Sequence, residues 1–205
     1  MNTNNNSEVL RGLVNELLDK LMKEAEERAY SQLKRSGTCQ PFLHIFGVRD
    51  GCGTLSQTDP LSTKAQMDDF TKFARMVCID EDAHAAVFVS EAWLMKNASQ
   101  PITIGKAPSE APRREEAIVL MGETREKSIQ QILPIVRHPD GSFKEFGTPY
   151  CNRSAWTKGQ SPTFISAKVP TEHEREAADN YLSRLAREGF REREKLHKRG
   201  MGRSM

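Results

Sequence analysis

Residues 84–146 carry four β-rich runs, and only short turns separate the last three. They are "HAAVFVSEAWLMK" at 84–96, "EAIVLMGET" at 116–124, "KSIQQILPIVRH" at 127–138 and "SFKEF" at 142–146. Parallel neighbours need a crossover of a dozen residues or more, and the gaps after 124 and 138 leave no room for one. These runs are therefore expected to form antiparallel hairpins, with Asp140-Gly141 marking the second turn. An earlier run, "PFLHIFGVR" at 41–49, places Phe42, His44, Phe46 and Val48 on one side. Pro134 lies inside the 127–138 run and pushes that strand towards an edge or a bulge.

Helical spacing brackets these strands. From Ser7, a plausible N-cap, to about Arg35, the apolar residues Leu10, Val14, Leu17, Leu21 and Ala25 recur every three or four positions. Leu13, Leu18 and Met22 widen the stripe, and Glu16, Lys20, Glu24 and Glu27 occupy the opposite face. A second helix is expected after Ser62 or Thr63, with Met67, Phe70, Phe73 or Ala74, and Val77 as its apolar stripe. Thr171 caps a third, running from Glu172 to about Lys198. The expected fold class is α+β, an antiparallel sheet of about five strands with helices packed on one face and long N- and C-terminal helices. The expected organisation is a polar, disordered tail at 1–6, a single domain at 7–170, and a charged helix with a basic tail at 171–205.

Composition narrows the function classes. Of 205 residues, 37% are hydrophobic and 28% charged, which suits a folded domain with a polar surface. The formal net charge of +2 implies no polyanion partner by itself, so any such argument rests on local charge. No run approaches the roughly 20 apolar residues of a membrane span, and "MNTNNNSEVLRG" has no leader character. Cys39, Cys52, Cys78 and Cys151 form no CxxC pair, so reduced thiols and a cytoplasmic location are expected. Together with His44, His84 and His138 they offer metal-binding side chains, but without the close pairs of a zinc site. No metal and no cofactor are expected. Gly-rich "DGCGTLSQTD" lacks both phosphate-loop patterns and reads as a turn, and no GxSxG is present.

Glu91 interrupts the apolar run of 84–96, two residues before Trp93. An isolated carboxylate in a central strand is costly to desolvate, so it is paired, neutralised or exposed. As a general base it would work with His44 and Arg137, the only catalytic candidates the sequence offers. As a structural group it would pair with Arg113, Arg114 or Arg137. The pairing is the expected role. "PSEAPRREEAIV", 108–119, is a candidate recognition loop through Glu110, Arg113 and Arg114, although its charges largely cancel and a solvated loop explains it equally well.

"VSEAWLMK" followed by "PSEAPRREEAIVL" resembles a pattern in small uncharacterised proteins of bacteria, phages and plasmids. The resemblance covers about the middle third of the chain. It implies a prokaryotic or mobile-element origin and carries no activity with it.

The densest local charge lies at 184–203, where eight Lys or Arg face three Glu. Arg184, Arg187, Arg191, Arg193, Lys195, Lys198, Arg199 and Arg203 are the candidate contacts to nucleic acid or to an acidic protein surface. A solvated helix with i,i+4 charge pairs is the plainer reading. Only Tyr181 and Phe190 are near enough for base stacking. The functional expectation is a non-catalytic interaction or regulatory protein, with a protein partner or self-association through the N-terminal helix. The alternatives are a nucleic-acid-associated protein using the basic helix, and a small enzyme of unfamiliar type.

Overall fold

The computed structural model describes residues 3–47, 52–56, 63–95, 114–155, 163–166 and 168–201, with side chains described from residue 12 to residue 188 apart from those at 52, 95, 114 and 155. In chain order the elements are α1 (Thr3–Ser36), β1 (Phe42–Phe46), β2 (Cys52–Ser56), α2 (Lys64–Asp80), β3 (Ala85–Met95), β4 (Arg114–Thr124), β5 (Lys127–Arg137), β6 (Phe143–Phe146), β7 (Tyr150–Ala155) and α3 (Glu172–Met201). The fold is α+β, and the strands form one antiparallel sheet in the order β2-β1-β3-β4-β5-β6, with β7 also on β5. The sheet has seven strands rather than about five. The two added ones, β2 "CGTLS" and β7 "YCNRSA", are short and weakly apolar. Their pairing comes from neighbours and not from local pattern.

Helices cover both faces, which corrects the expectation of one. On one face Leu18, Leu21, Met22, Ala25, Ala29 and Leu33 of α1 join Phe42, Val87, Val89, Ile118, Leu120, Ile129 and Leu133 in a single core. On the other, Phe70, Ala74 and Cys78 of α2 join Leu43, Ile45, Ala86, Phe88, Phe164 and Ile165. Alternation along β1 and β3 sends successive side chains to the two cores, so these strands are apolar on both sides. Burial of each large aliphatic side chain contributes about 1.5–3 kcal/mol. Met67, expected in the stripe of α2, is instead 51% exposed.

The α1 stripe lies directly on the sheet at Gly122, where an added Cβ would come within 2.7 Å of Met22 Sδ. Polar ties fix the helix laterally: Gln131 Nε2 donates to Glu26, and Arg153 pairs with Asp19 at 2.7 Å. Helix α2 starts in a capping box between Thr63 and Gln66. Thr171 and Glu174 make the equivalent reciprocal pair before α3. Helix α3 packs on α2 with Ala178 buried, Lys72 over the Tyr181 ring and Arg175 3.8 Å from Asp82.

Pro134 is neither on an edge strand nor in the bulge. It faces Ala117 across β4, and the register shift comes later, between Val136 and Arg137. Its ring nitrogen points to the same edge as its carbonyl, which accepts from Gly147 N in the connection between β6 and β7. The missing N–H thus falls in the gap between the two outer partners, where no ladder bond is required.

Candidate functional site

Arg137 is the focus of the polar cluster on the α1 face. Its Nε donates to Glu116 Oε2, and its Nη2 lies 3.9 Å from Glu91 Oε1. Its Nη1 donates to the carbonyls of Gly37 at 3.1 Å and Gly141 at 3.2 Å. The second oxygen of Glu91 accepts from Cys39 N at 2.9 Å. One guanidinium therefore joins β3, β4, the chain leaving α1 and the β5–β6 turn. The three side chains are about a fifth to a quarter exposed, enough to strengthen charge pairing without full desolvation.

Of the arginines considered for Glu91, Arg137 is the one described beside it. Arg113 and Glu110 lie outside the described residues, and the side chain of Arg114 is not described. Trp93 lies directly opposite Glu116 across the β3–β4 pair and is 38% exposed.

His44 does not join this cluster. It pairs in register with Val87, four residues before Glu91 on β3, or about 13 Å along the strand. Its Nδ1 shares a hydrogen with Thr54 Oγ1 at 2.8 Å, and its ring stands edge-on to Phe42. Its Nε2 is buried with no partner. Burial and then the Arg28 charge hold His44 below the usual histidine range, so the ring stays neutral. Glu91, His44 and Arg137 thus do not converge on one point.

The two buried thiols are passive. Burial, and then the Glu91 charge, push Cys39 up to about 12, and burial raises Cys78 further. Neither holds an appreciable thiolate at neutral pH. Cys151 is exposed. Among the described residues no three His, Cys, Asp or Glu side chains converge as a metal site requires.

Two clusters were not anticipated from the sequence. Glu123 is 4% exposed and accepts from the backbone N–H groups of Thr163 at 2.8 Å, Phe164, and Ile165 at 2.7 Å. Burial pushes its carboxyl above the ordinary range, and the three N–H bonds pull in the opposite direction. The carboxylate pins a segment whose Phe164 stacks on Phe88, itself against Phe70. In the second, Arg125 reaches from the β4–β5 turn to Asp82 at 2.7 Å and to His84 Nδ1 at 2.9 Å. A glutamate in "MGET" and an arginine in "TREK" read as ordinary turn residues, because their partners are 40 or more positions away.

The basic helix is described in part. Arg184 lies 3.9 Å from Glu188 and 5.6 Å from the Tyr181 ring centroid, and Arg187 Nε donates to Ser183 O. Arg191, Arg193, Lys195, Lys198 and Arg199 lie within α3 with side chains not described, and Arg203 is outside the described residues. Among the described residues, no helix is long and apolar enough to cross a membrane. No protein-family model, no curated protein and no solved structure matches the chain.

Proposed function

We propose that this is a non-catalytic interaction protein of the cytoplasm, in which the first turns of α1 dock on an apolar helix of another polypeptide. Leu13 carries the reading: it is 56% exposed, and among the described residues of α1 the stripe becomes fully buried only from Leu18 onward. The fifteen residues from Thr3 to Leu17 make about four turns, or roughly 22 Å of helix. Val14 and Leu17, beside Leu13, are half-buried. The groups suited to chemistry favour the same reading, since Arg137 and Glu91 are engaged in joining backbone segments and His44 is neutral and distant.

Leu13→Lys tests the proposal. The variant is expected to fold like the parent by circular dichroism and to lose the partner that full-length parent recovers after nuclease treatment. Light scattering over a concentration series separates a second copy of this chain from a different protein. Identical recovery and identical mass for both chains would overturn the reading.

A second reading, nucleic-acid association through α3, rests on the eight basic residues of 184–203 against three acids. It requires affinity that falls steeply with salt and is lost when residues 184–205 are deleted. The prokaryotic mobile-element origin suggested by the 89–120 pattern is compatible with either reading.

A further inference from the structure

Between the last turns of α1, the start of β1 and the end of β2 lies an open crevice of about 370 Å³. Its described lining is Arg28, Ser31, Gln32, Arg35, Gln40 and Ser56: two guanidiniums, hydroxyls and amides, without a carboxylate. Positions 28, 31, 32 and 35 recur on one helical face, so a single ligand can reach all four. We propose that this crevice binds a small, polar organic phosphate.

The hydrogen-bond inventory favours an acceptor-rich, anionic guest. Arg28 is held in place, with Nη2 donating to Ser56 Oγ at 3.0 Å and the guanidinium carbon 4.9 Å over the Phe42 ring. Because Ser56 Oγ accepts there, its own proton is available to donate. Gln32 Oε1 accepts from Gln40 N, which orients the Gln32 amide and frees its NH₂. Ser31 spends its proton on Glu27 O. The acids on the neighbouring turns are drawn off sideways, Glu24 by Lys20 at 3.8 Å and Glu27 by Lys23 at 4.0 Å. Among the described residues, no acid pairs with Arg28 or Arg35. The positive charge of Arg28 is felt at His44 and Cys39, where Glu24 and Glu91 respectively act against it. Two planar guanidiniums suit the paired oxygens of a phosphate. The volume exceeds that of an inorganic ion, and the walls mix polar heads with the apolar stems of the same side chains, so the remainder of the ligand is amphiphilic and of the size of a sugar or nucleoside.

The test is calorimetric titration of the full chain with ribose 5-phosphate, adenosine 5′-monophosphate, inorganic phosphate and citrate. The expected result is binding of at least one of the two organic phosphates at about 1 mM or tighter, weakening with added salt. Arg35→Gln is expected to weaken it about tenfold to a hundredfold without changing the melting temperature of the free protein, because Arg35 is exposed. Arg28→Gln is expected to abolish binding. No titration by either organic phosphate would overturn the proposal. So would affinity unchanged in Arg35→Gln, or citrate or inorganic phosphate binding as tightly as the organic phosphates.

Discussion

Glu91 Oε2 accepts the backbone N–H of Cys39 at 2.9 Å, fixing the chain just after α1 to the middle of β3. The carboxylate thereby satisfies a backbone donor outside any ladder, and its other oxygen faces Arg137. Removing Arg137 leaves two partly buried carboxylates and two carbonyls without that partner. Arg137→Ala is expected to cost about 2–4 kcal/mol in urea unfolding. In double-mutant cycles, coupling of Arg137 to Glu116, where a direct hydrogen bond exists, should exceed coupling to Glu91 at 3.9 Å. Equal or absent coupling in both cycles would contradict this division.

Glu123→Gln keeps the size of the side chain but replaces one acceptor oxygen by an NH₂ facing backbone donors. The expected cost is about 2–3 kcal/mol. Hydrogen exchange at the amides of Thr163, Phe164 and Ile165 should accelerate more than exchange in β4 itself, since those amides lose their acceptor. Uniform acceleration across the sheet would assign Glu123 a general role in the core.

Two buried glycines should respond differently to alanine. A Cβ at Gly122 meets the flexible tips of Met22 and Leu18, which can turn aside, so Gly122→Ala is expected to cost about 1 kcal/mol. A Cβ at Gly47 would fall 2.6 Å from the backbone oxygen of Glu81, which cannot move without displacing the end of α2. Gly47→Ala should cost about 3 kcal/mol. Thermal melts of the two variants decide the order.

Acidification should destabilise the protein through its histidines. His44 and His84 are both held below the ordinary histidine value of 6.5, chiefly by burial and then by Arg28 and Arg125 respectively. Above that value both states are neutral and the histidines contribute nothing to the pH dependence. As pH falls through it, the unfolded chain takes up protons first, so stability declines until the folded histidines also protonate. Melting temperature should fall between about pH 7 and pH 5. His44→Gln and His84→Gln together should flatten that slope. Glu123 acts in the opposite sense: its raised carboxyl takes up a proton first in the folded state, which favours folding as pH falls towards 4.5 and offsets part of the histidine effect.

Much of the fold was legible because several elements carry their own periodicity. The α1 stripe, the capping residues Thr63 and Thr171, and β1, β3, β4, β5 and β6 all follow from local spacing or turn residues. What escaped has non-local causes. Cys52–Ser56 is a strand because β1 offers it an edge, and Tyr150–Ala155 because β5 does. The second helical layer, by contrast, did carry a signal that the one-face expectation passed over: Ala85–Val89 is apolar on both faces of β3, a near-continuous run that implies cover on each side. The polar clusters divide the same way: Glu91 was conspicuous inside an apolar strand, whereas Glu123 and Arg125, beside a turn, gave no signal of partners 40 positions away.

The four segments gathered by Arg137 start far apart in the chain, with Gly37 and Arg137 separated by 100 positions. Such a knot closes only after β3, β4 and β5 are already side by side, because the loops it spans are too costly to close for a few hydrogen bonds. Its contribution is then expected to fall largely after the folding barrier, slowing unfolding more than it speeds folding. Under the proposed docking role of α1, Arg137 becomes a timer on how long that helix stays presented.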